Sequence, residues 1–381
     1  MLPSPIVTVA QTELTARLAQ LTLELVNVPS VSREEAALLE LVARRCQGLQ
    51  TFETVVEPGQ GLLVRQRERT GKPWVVLTGH LDTVPVQDNL PGRMAGEVIH
   101  GLGASDMKSA LAVMLELAEW ADRAQPPTGV ELGLLFFARE ELPIAESAVP
   151  AMFRRCPELR AAALLVVMEP TDCALQIGCL GNLNAEVQFH GTSAHSARPW
   201  HGDNALHKAL RGLQDIAGQE PLVVKVGGLT YTEVVSVTRL QAGIAGNVIP
   251  DLATAHLNYR YAPDRRPDEA EARLRGWLPA EADMRVIGNA PPARVAMDNP
   301  LVERLRRIGG LPVEPKQAWT PVAEFSAEGL DAINFGPGAS RYAHQRDEQV
   351  EVGQIVRAYD ILQRFLLADS HPLPPEAEGA T

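Results

Sequence analysis

The stretch WVVLTGH, at Trp74–His80, decides the fold of this chain. It is apolar up to a polar end, and two later stretches share the pattern: LGLLFFA at Leu132–Ala138 and ALLVVME at Ala163–Glu169. Apolar runs of this length without alternation are typical of strands that are buried on both faces. Because a helical pattern at Met107–Ala121 separates the first two, the sequence predicts an α/β domain with a mostly parallel sheet flanked by helices.

The pattern changes beyond residue 178. Apolar residues then occupy every second position in two stretches, Asn182–Gly191 and Asp251–Pro263, as in strands with one buried face. Helical patterns follow at Asn204–Ala217 and Asp268–Leu278. Two strands and two helices in this order predict a small α+β unit with a one-sided sheet.

We therefore expect three consecutive segments within the 381 residues. Residues 1–178 would form the first part of one domain, 179–292 an inserted α+β domain, and 293–381 the second part of the first domain. The last segment would include a final helix near Gln354–Ala368. A chain of this length is long enough for two domains of ordinary size.

Charge, the length of apolar runs and cysteine content exclude several classes of protein. The net charge of −12 argues against a nucleic-acid partner, because phosphate binding requires a clustered basic surface. No stretch reaches the roughly 20 apolar residues that a membrane-spanning helix needs, and no targeting signal is visible. The four cysteines show no CxxC spacing, which argues against a disulfide framework or a thiolate zinc site and favours the reducing cytoplasm.

Two motifs near the first strand carry possible metal ligands. GHLDTVP places His80 and Asp82 on the same side of a strand end, where a carboxylate could orient a metal-bound imidazole or simply make a polar contact. GLGASDMK fails as a dinucleotide-binding loop because Asp106 replaces its third glycine. A helix that starts at Ser105 or Asp106 would allow Asp106 to act as its N-cap instead of as a ligand.

Acids also follow the second and third apolar runs. Glu140 and Glu141 come directly after a buried strand, where two adjacent carboxylates are costly without a cation, although a surface pair is the alternative. Glu169 ends the third run, and His344 lies in YAHQRDE after a Gly-Pro-Gly loop. Two histidines with several carboxylates at strand ends match the ligands that two divalent ions need.

A family resemblance covers about residues 74–344. GHLDTVP, GLGASDMK, the EE pair, MEPT, GTSAHSARP, GNVIP, NYR and NFGPG…AH follow the order seen in the metallopeptidase family of aminoacylases, acetylornithine deacetylases and succinyl-diaminopimelate desuccinylases. The chain most resembles the desuccinylases found in actinobacteria. This implies hydrolysis of N-succinyl-LL-2,6-diaminopimelate in lysine and diaminopimelate biosynthesis. The alternatives are another N-acyl amino acid deacylase or a dipeptidase; the intact EE pair disfavours a non-catalytic binding protein.

The resemblance also implies roles for single residues. His80 and Glu169 would bind one zinc ion, Glu141 and His344 a second, and Asp106 would bridge the two, with Co²⁺ as a substitute metal. Asp82 would orient His80, and Glu140 would be the general base. His195 resembles a histidine that reaches into a neighbouring subunit's site to stabilise the oxyanion, so a homodimer is implied. The resemblance also makes residues 1–178 and 293–381 the catalytic domain and 179–292 the dimerisation domain.

Substrate contacts are implied for four residues: Asn247, Arg260, Thr320 and Gly338. From the sequence alone, the alternatives are that Arg260 forms a surface ion pair and that Asn247 is a turn residue. The chain also departs from the pattern, since Cys179 and Leu180 replace an arginine pair that many desuccinylases carry. One carboxylate anchor is therefore absent, or it is supplied by another residue such as Arg198 or Arg341.

Overall fold

The computed structural model of the chain describes residues 5–367, with side chains from residue 11 onward. These residues divide into two compact units. Unit 1 takes its described residues from Met1–Gln176, Asp298–Val313 and Gly329–Thr381, and unit 2 consists of Ile177–Met297 and Glu314–Glu328. The three domain segments expected from the sequence stay a prediction.

The α-helices between residues 5 and 367 fall in both units. They are α1 (Pro5–Val26), α2 (Ala36–Gln47), α3 (Ser109–Ala124), α4 (Val149–Arg155), α5 (Ala205–Gly212), α6 (Gln214–Ala217), α7 (Pro267–Gly276), α8 (Pro300–Gly309), α9 (Val322–Ala327) and α10 (Val352–Leu366).

The strands of the same range form three sheets. They are β1 (Phe52–Glu57), β2 (Gly61–Gln66), β3 (Trp74–His80), β4 (Arg93–Ala95), β5 (Val98–His100), β6 (Glu131–Phe137), β7 (Leu164–Val167), β8 (Leu175–Ile177), β9 (Gly181–His190), β10 (Leu222–Val226), β11 (Leu229–Ala242), β12 (Leu252–Tyr261), β13 (Asp283–Ala290), β14 (Val313–Pro315), β15 (Ala332–Asn334) and β16 (Gln349–Glu351).

The largest sheet has the order β1-β2-β6-β3-β7-β15-β8-β14. Strands β6, β3, β7 and β15 run parallel to one another, whereas β1 and β2 are antiparallel, so the sheet is mixed. Every residue of β3, β6 and β7 is buried, which explains their unbroken apolar sequences. Helices α1, α3 and α10 pack on one another beside this sheet. The predicted α/β fold is therefore confirmed.

A small three-stranded sheet of order β16-β5-β4 also belongs to unit 1. Strand β16 pairs antiparallel with β5, so that Gln349 lies opposite His100. This pairing places the residues just before β16 beside the loop that follows β5.

Unit 2 is built on a sheet of order β10-β11-β12-β9-β13. Strands β9 and β12 alternate between buried and half-buried residues, as the sequence predicted, and α5, α6 and α7 contribute to the apolar cluster on the buried side. The expectation of only two strands was wrong, because β10, β11 and β13 complete the sheet. Their sequences lack clear alternation: β11 turns Glu233 inward and places Val234 and Val235 on opposite faces.

Helix boundaries differ from the predictions at two places. The helix expected over Asn204–Ala217 is interrupted at Leu213, which separates α5 from α6. The last helix ends at Leu366, and its predicted final residue Ala368 lies outside the described residues. Within the part of the chain that the structure describes, none of the helices combines the length and apolarity that crossing a bilayer requires.

Candidate active site

Unit 1 gathers acids and imidazoles at the carboxyl ends of its parallel strands. His80 ends β3, Glu140 and Glu141 follow β6, and Glu169 follows β7. Parallel neighbours end at the same edge of a sheet, which is where α/β proteins place their sites. The loop after β15 brings His344 to these side chains.

Asp106 reaches the same place through an irregular segment. Ala104–Lys108 forms a wide turn in which Asp106 (φ −123°, ψ 91°) and Met107 are not helical, and α3 begins only at Ser109. The helix therefore starts later than predicted, and Asp106 is not its N-cap. Its carboxylate instead approaches His80, with 3.0 Å between Oδ1 and Nε2.

Two sets of donors share Asp106. The first set consists of His80, Asp106 and Glu169, and the second of Asp106, Glu141 and His344; within each set, one ligand atom per residue lies within 4.8 Å of the others. In the second set, Nε2 of His344 is 3.0 Å from Oε1 of Glu141 and 3.6 Å from Oδ2 of Asp106. Glu140 also approaches His80 and Glu141.

Asp82 contacts both sides of this site. Its backbone carbonyl oxygen lies 3.0 Å from Nδ1 of His80, which leaves Nε2 facing Asp106, while its carboxylate is 3.6 Å from the same ring nitrogen. That carboxylate accepts hydrogen bonds from the backbone N–H groups of Glu140 (2.9 Å) and Glu141 (3.0 Å) and from the Ser32 hydroxyl (2.8 Å). Asp82 thus links the histidine strand to the backbone of the glutamate pair.

The site concentrates negative charge. Burial, together with the charge of Glu169, raises the pKa of Glu140 well above its ordinary value. The hydrogen bond that His344 makes to the Glu141 carboxylate raises the pKa of His344 to about 9. Carboxylates crowded in this way need a cation, and hard oxygen donors combined with imidazole suit divalent metal ions. The residues present fit two ions that share one carboxylate.

One further acid of this region was missed by the sequence analysis. Glu348 is almost fully buried and accepts hydrogen bonds from three backbone N–H groups of the Gly103–Asp106 loop. Within YAHQRDE its sequence resembles a charged surface loop, and nothing local distinguishes it from Asp347.

Three of the predicted functional residues, His195, Asn247 and Arg260, belong to the first segment of unit 2. The His195 and Asn247 segments are adjacent, since Ser196 N–H donates to the Asn247 carbonyl oxygen (3.0 Å). The N–H of Ala197 donates to Nδ1 of His195 (3.1 Å), so the neutral ring carries its proton on Nε2. Arg260, on β12, donates to the side chain of its neighbour Asn258 (3.0 Å), and burial lowers its pKa.

Thr320 and Gly338 differ in their surroundings. Thr320 is buried in unit 2, and its carbonyl oxygen lies 3.9 Å from Sγ of Cys179. Gly338, in unit 1, adopts a left-handed φ of 82°, and its N–H donates to the Gln354 side chain (2.9 Å). A Cβ at Gly338 would lie 2.5 Å from Oγ of Ser105, so the position requires glycine.

The two arginines considered as replacement anchors are both at the surface. Arg341 forms an ion pair with Asp172 at 3.2 Å, and its side chain is mostly exposed. Arg198 is exposed in unit 2. Neither observation assigns either residue to a substrate carboxylate.

Comparison with known proteins identifies the family of this chain. Residues 76–368 match the model of peptidase family M20/M25/M40. The chain belongs to this peptidase family. Two family relatives extend over 91% of the chain: DapE of Mycobacterium tuberculosis, provisionally named a succinyl-diaminopimelate desuccinylase (38% identity, 97% of that protein), and the succinyl-diaminopimelate desuccinylase of Corynebacterium glutamicum (35%, 95% of that protein).

A solved M20 structure shares the fold. The YXEP protein of Bacillus subtilis, described as a dinuclear metal-binding peptidase, matches with a TM-score of 0.65 at 16% identity and covers 93% of this chain and 98% of its own. Membership of the family establishes the chain as a metal-dependent amide hydrolase.

Proposed function

We propose that this M20 enzyme hydrolyses N-succinyl-LL-2,6-diaminopimelate to succinate and LL-2,6-diaminopimelate with two zinc ions per subunit. The observation that carries the proposal is the pair of donor sets that share Asp106, with Glu140 beside them. The substrate is supported by the names of the M. tuberculosis and C. glutamicum relatives, which match nearly the whole chain.

In this proposal His80 and Glu169 hold one ion, Glu141 and His344 hold the other, and Asp106 bridges them. The bond from Nδ1 of His80 to a backbone carbonyl supports this role, because ligating histidines usually donate their second ring N–H to such an acceptor. When bound, the ions supply Lewis-acid charge, which polarises the amide carbonyl and brings the pKa of water toward about 7. Co²⁺ would be accepted in place of Zn²⁺.

Glu140 is the proposed general base. It removes one proton from the attacking water as the oxygen bonds to the amide carbon, and it returns that proton to the nitrogen as the C–N bond breaks. Its carboxylate lies close to both His80 and Glu141, and its backbone is held by Asp82.

His195 is the proposed stabiliser of the carbonyl oxygen, and we assign it to the partner subunit of a homodimer. The Ala197 N–H supports this role, since it occupies Nδ1 and leaves Nε2 as a donor from an exposed ring. Asn247, Arg260, Thr320 and Gly338 would contact the substrate. The four unpaired thiols support a cytoplasmic location.

Metal analysis combined with a substrate panel tests the function. The purified chain should contain about two zinc ions and release succinate from N-succinyl-LL-2,6-diaminopimelate much faster than it deacylates N-acetylornithine or cleaves dipeptides. Full metal loading without succinate release would refute the desuccinylase assignment, and rapid N-acetylornithine cleavage would favour a deacetylase.

The base is tested separately. Glu140→Gln keeps the size of the side chain but cannot accept the proton, so kcat should fall by about 10²–10⁴-fold while both metals remain. An unchanged kcat would exclude Glu140 as the base. Light scattering in solution tests the homodimer, and a monomer with full activity would exclude a partner's His195.

A further inference from the structure

Glu348 is enclosed by the loop that carries Asp106. Its Oε2 accepts the N–H of Gly103 at 2.9 Å, and its Oε1 accepts the N–H groups of Ser105 at 3.0 Å and Asp106 at 2.9 Å. Its backbone carbonyl oxygen also accepts the N–H of Gly101 at 3.0 Å. The side chain is only 2% exposed, so these bonds are made away from water.

The irregular backbone explains why this loop needs acceptor oxygens from another segment. Gly103 has a left-handed φ of 79°, and Asp106 leaves the helical region, so the loop cannot satisfy its amides by regular helical bonding. A buried N–H without a partner costs about 1–3 kcal/mol, and a carboxylate can satisfy several at once through charge-assisted bonds. The charge of Glu348 also acts on the buried Lys108, whose Nζ donates to the carbonyl oxygen of Val28 (2.8 Å).

The bonds to Glu348 fix the orientation of Asp106. With its N–H held by Glu348, Asp106 directs Oδ1 to Nε2 of His80 (3.0 Å) and Oδ2 toward Nε2 of His344 (3.6 Å). Glu348 follows His344 by four residues and directly precedes β16, which pairs with β5 ahead of the Asp106 loop. A single acid therefore connects the His344 segment to the segment that carries the shared carboxylate.

We propose that Glu348 is a positioning residue of the metal centre, which sets the place of Asp106 through its backbone N–H. The inference rests on the proposed function. Both oxygens of Glu348 already accept amide hydrogen bonds, and it belongs to neither donor set, so it acts through Asp106 and not as a ligand.

Glu131 offers a matched control within unit 1. It is 1% exposed, and it accepts hydrogen bonds from the N–H groups of Thr70 and Gly71 and from Arg69 at the start of β6, remote from the metal donors along that strand. A Met at either position keeps about the length of the side chain and removes both acceptor oxygens. The two substitutions therefore cause comparable local damage, and only Glu348→Met leaves the N–H of Asp106 without its acceptor.

The experiment measures Zn²⁺ affinity of the full-length chain by competition with a chromophoric chelator, alongside the Co²⁺ absorption spectrum and the melting temperature. Glu348→Met should weaken Zn²⁺ binding by about 10–100-fold and shift the Co²⁺ bands, as loss of an outer partner of a ligand does. Glu131→Met should lower the melting temperature and leave both metal readouts unchanged. Glu348→Asp keeps the charge and should recover part of the affinity.

Two results would overturn the proposal: Zn²⁺ affinity within twofold of wild type in Glu348→Met, or equal losses of affinity in the Glu348 and Glu131 variants. If Glu348→Met does not fold, Glu348→Asp decides the question by the same criteria, because its shorter side chain cannot reach all three amides. A wild-type chain that binds fewer than two zinc ions, or that releases no succinate, refutes the proposed function instead.

Discussion

Replacing Asp82 with Asn tests how the glutamate pair is placed. The Asp82 carboxylate uses Oδ1 for the N–H of Glu140 and Oδ2 for both the N–H of Glu141 and the Ser32 hydroxyl. Asparagine has one acceptor oxygen, which should face the side with two donors. The NH₂ group then faces the Glu140 N–H, and that hydrogen bond is lost.

The structure sets the expected magnitudes. Losing one hydrogen bond to a charged acceptor costs about 1.5–3 kcal/mol of folding free energy, which lowers the melting temperature by a few degrees. The effect on catalysis should be larger, because a misplacement of about 1 Å in a reacting group costs about 100-fold in rate. We therefore expect kcat of Asp82→Asn to fall about 100-fold while both metals are retained.

The assay is succinate release at saturating substrate, with metal content measured on the same samples. Ser32→Ala is the control, since it removes one donor to Asp82 and leaves both backbone hydrogen bonds; its kcat should stay within threefold of wild type. A kcat within threefold of wild type in fully metallated Asp82→Asn would refute the idea that Asp82 positions Glu140.

Three further predictions concern metal content, pH and stability. His344→Ala removes a donor from the second set only, so mass spectrometry should find about one zinc ion per chain; two retained ions would contradict this. In the metal-free protein the pKa of His344 is raised to about 9, so protons compete with the metal for this side chain. The affinity for Zn²⁺ should therefore rise from pH 6 to pH 9, and binding should release protons. Calorimetry measures both, and an affinity that does not change with pH would contradict the prediction. Burial opposes the ionisation of Glu233, but hydrogen bonds from Arg265 and other donors hold its pKa below the ordinary value, so the stability that its charge provides is present at neutral pH and is lost as pH falls through that pKa. Glu233→Gln should therefore lower the free energy of unfolding by about 3 kcal/mol at pH 7 and by much less near pH 3. Equal losses at the two pH values would contradict this prediction.

Much of the unit 1 sheet could be predicted because its strands are buried on both faces. The run Trp74–His80 matches β3 at both ends, and the second run is displaced from β6 by one residue. In unit 2, β11 could not be found in this way. The burial of Glu233 in this strand depends on its contacts with Tyr259 and Arg265, and no local sequence pattern predicts these contacts.

In the candidate site, too, local patterns predict some residues, whereas others depend on contacts with distant segments. His80, Glu140, Glu141 and Glu169 could be predicted as site residues, because each is a polar residue at or just after the end of an apolar run. The conformation of Asp106 could not be predicted from the sequence, because it depends on a hydrogen bond to Glu348, 242 residues away along the chain. Such long-range hydrogen bonds appear only once β16 pairs with β5.

The order of the metal donors along the chain has a consequence for synthesis. All donors of the first set precede residue 170, whereas the second set lacks His344 until about 175 more residues have been added. At common translation rates of about 5–20 residues per second, this interval lasts roughly 10–35 seconds. Because the N–H of Asp106 is held by Glu348, which is added only after His344, neither set would reach its final geometry before this interval ends, so both ions of the proposed centre would be loaded after the His344 segment has been made.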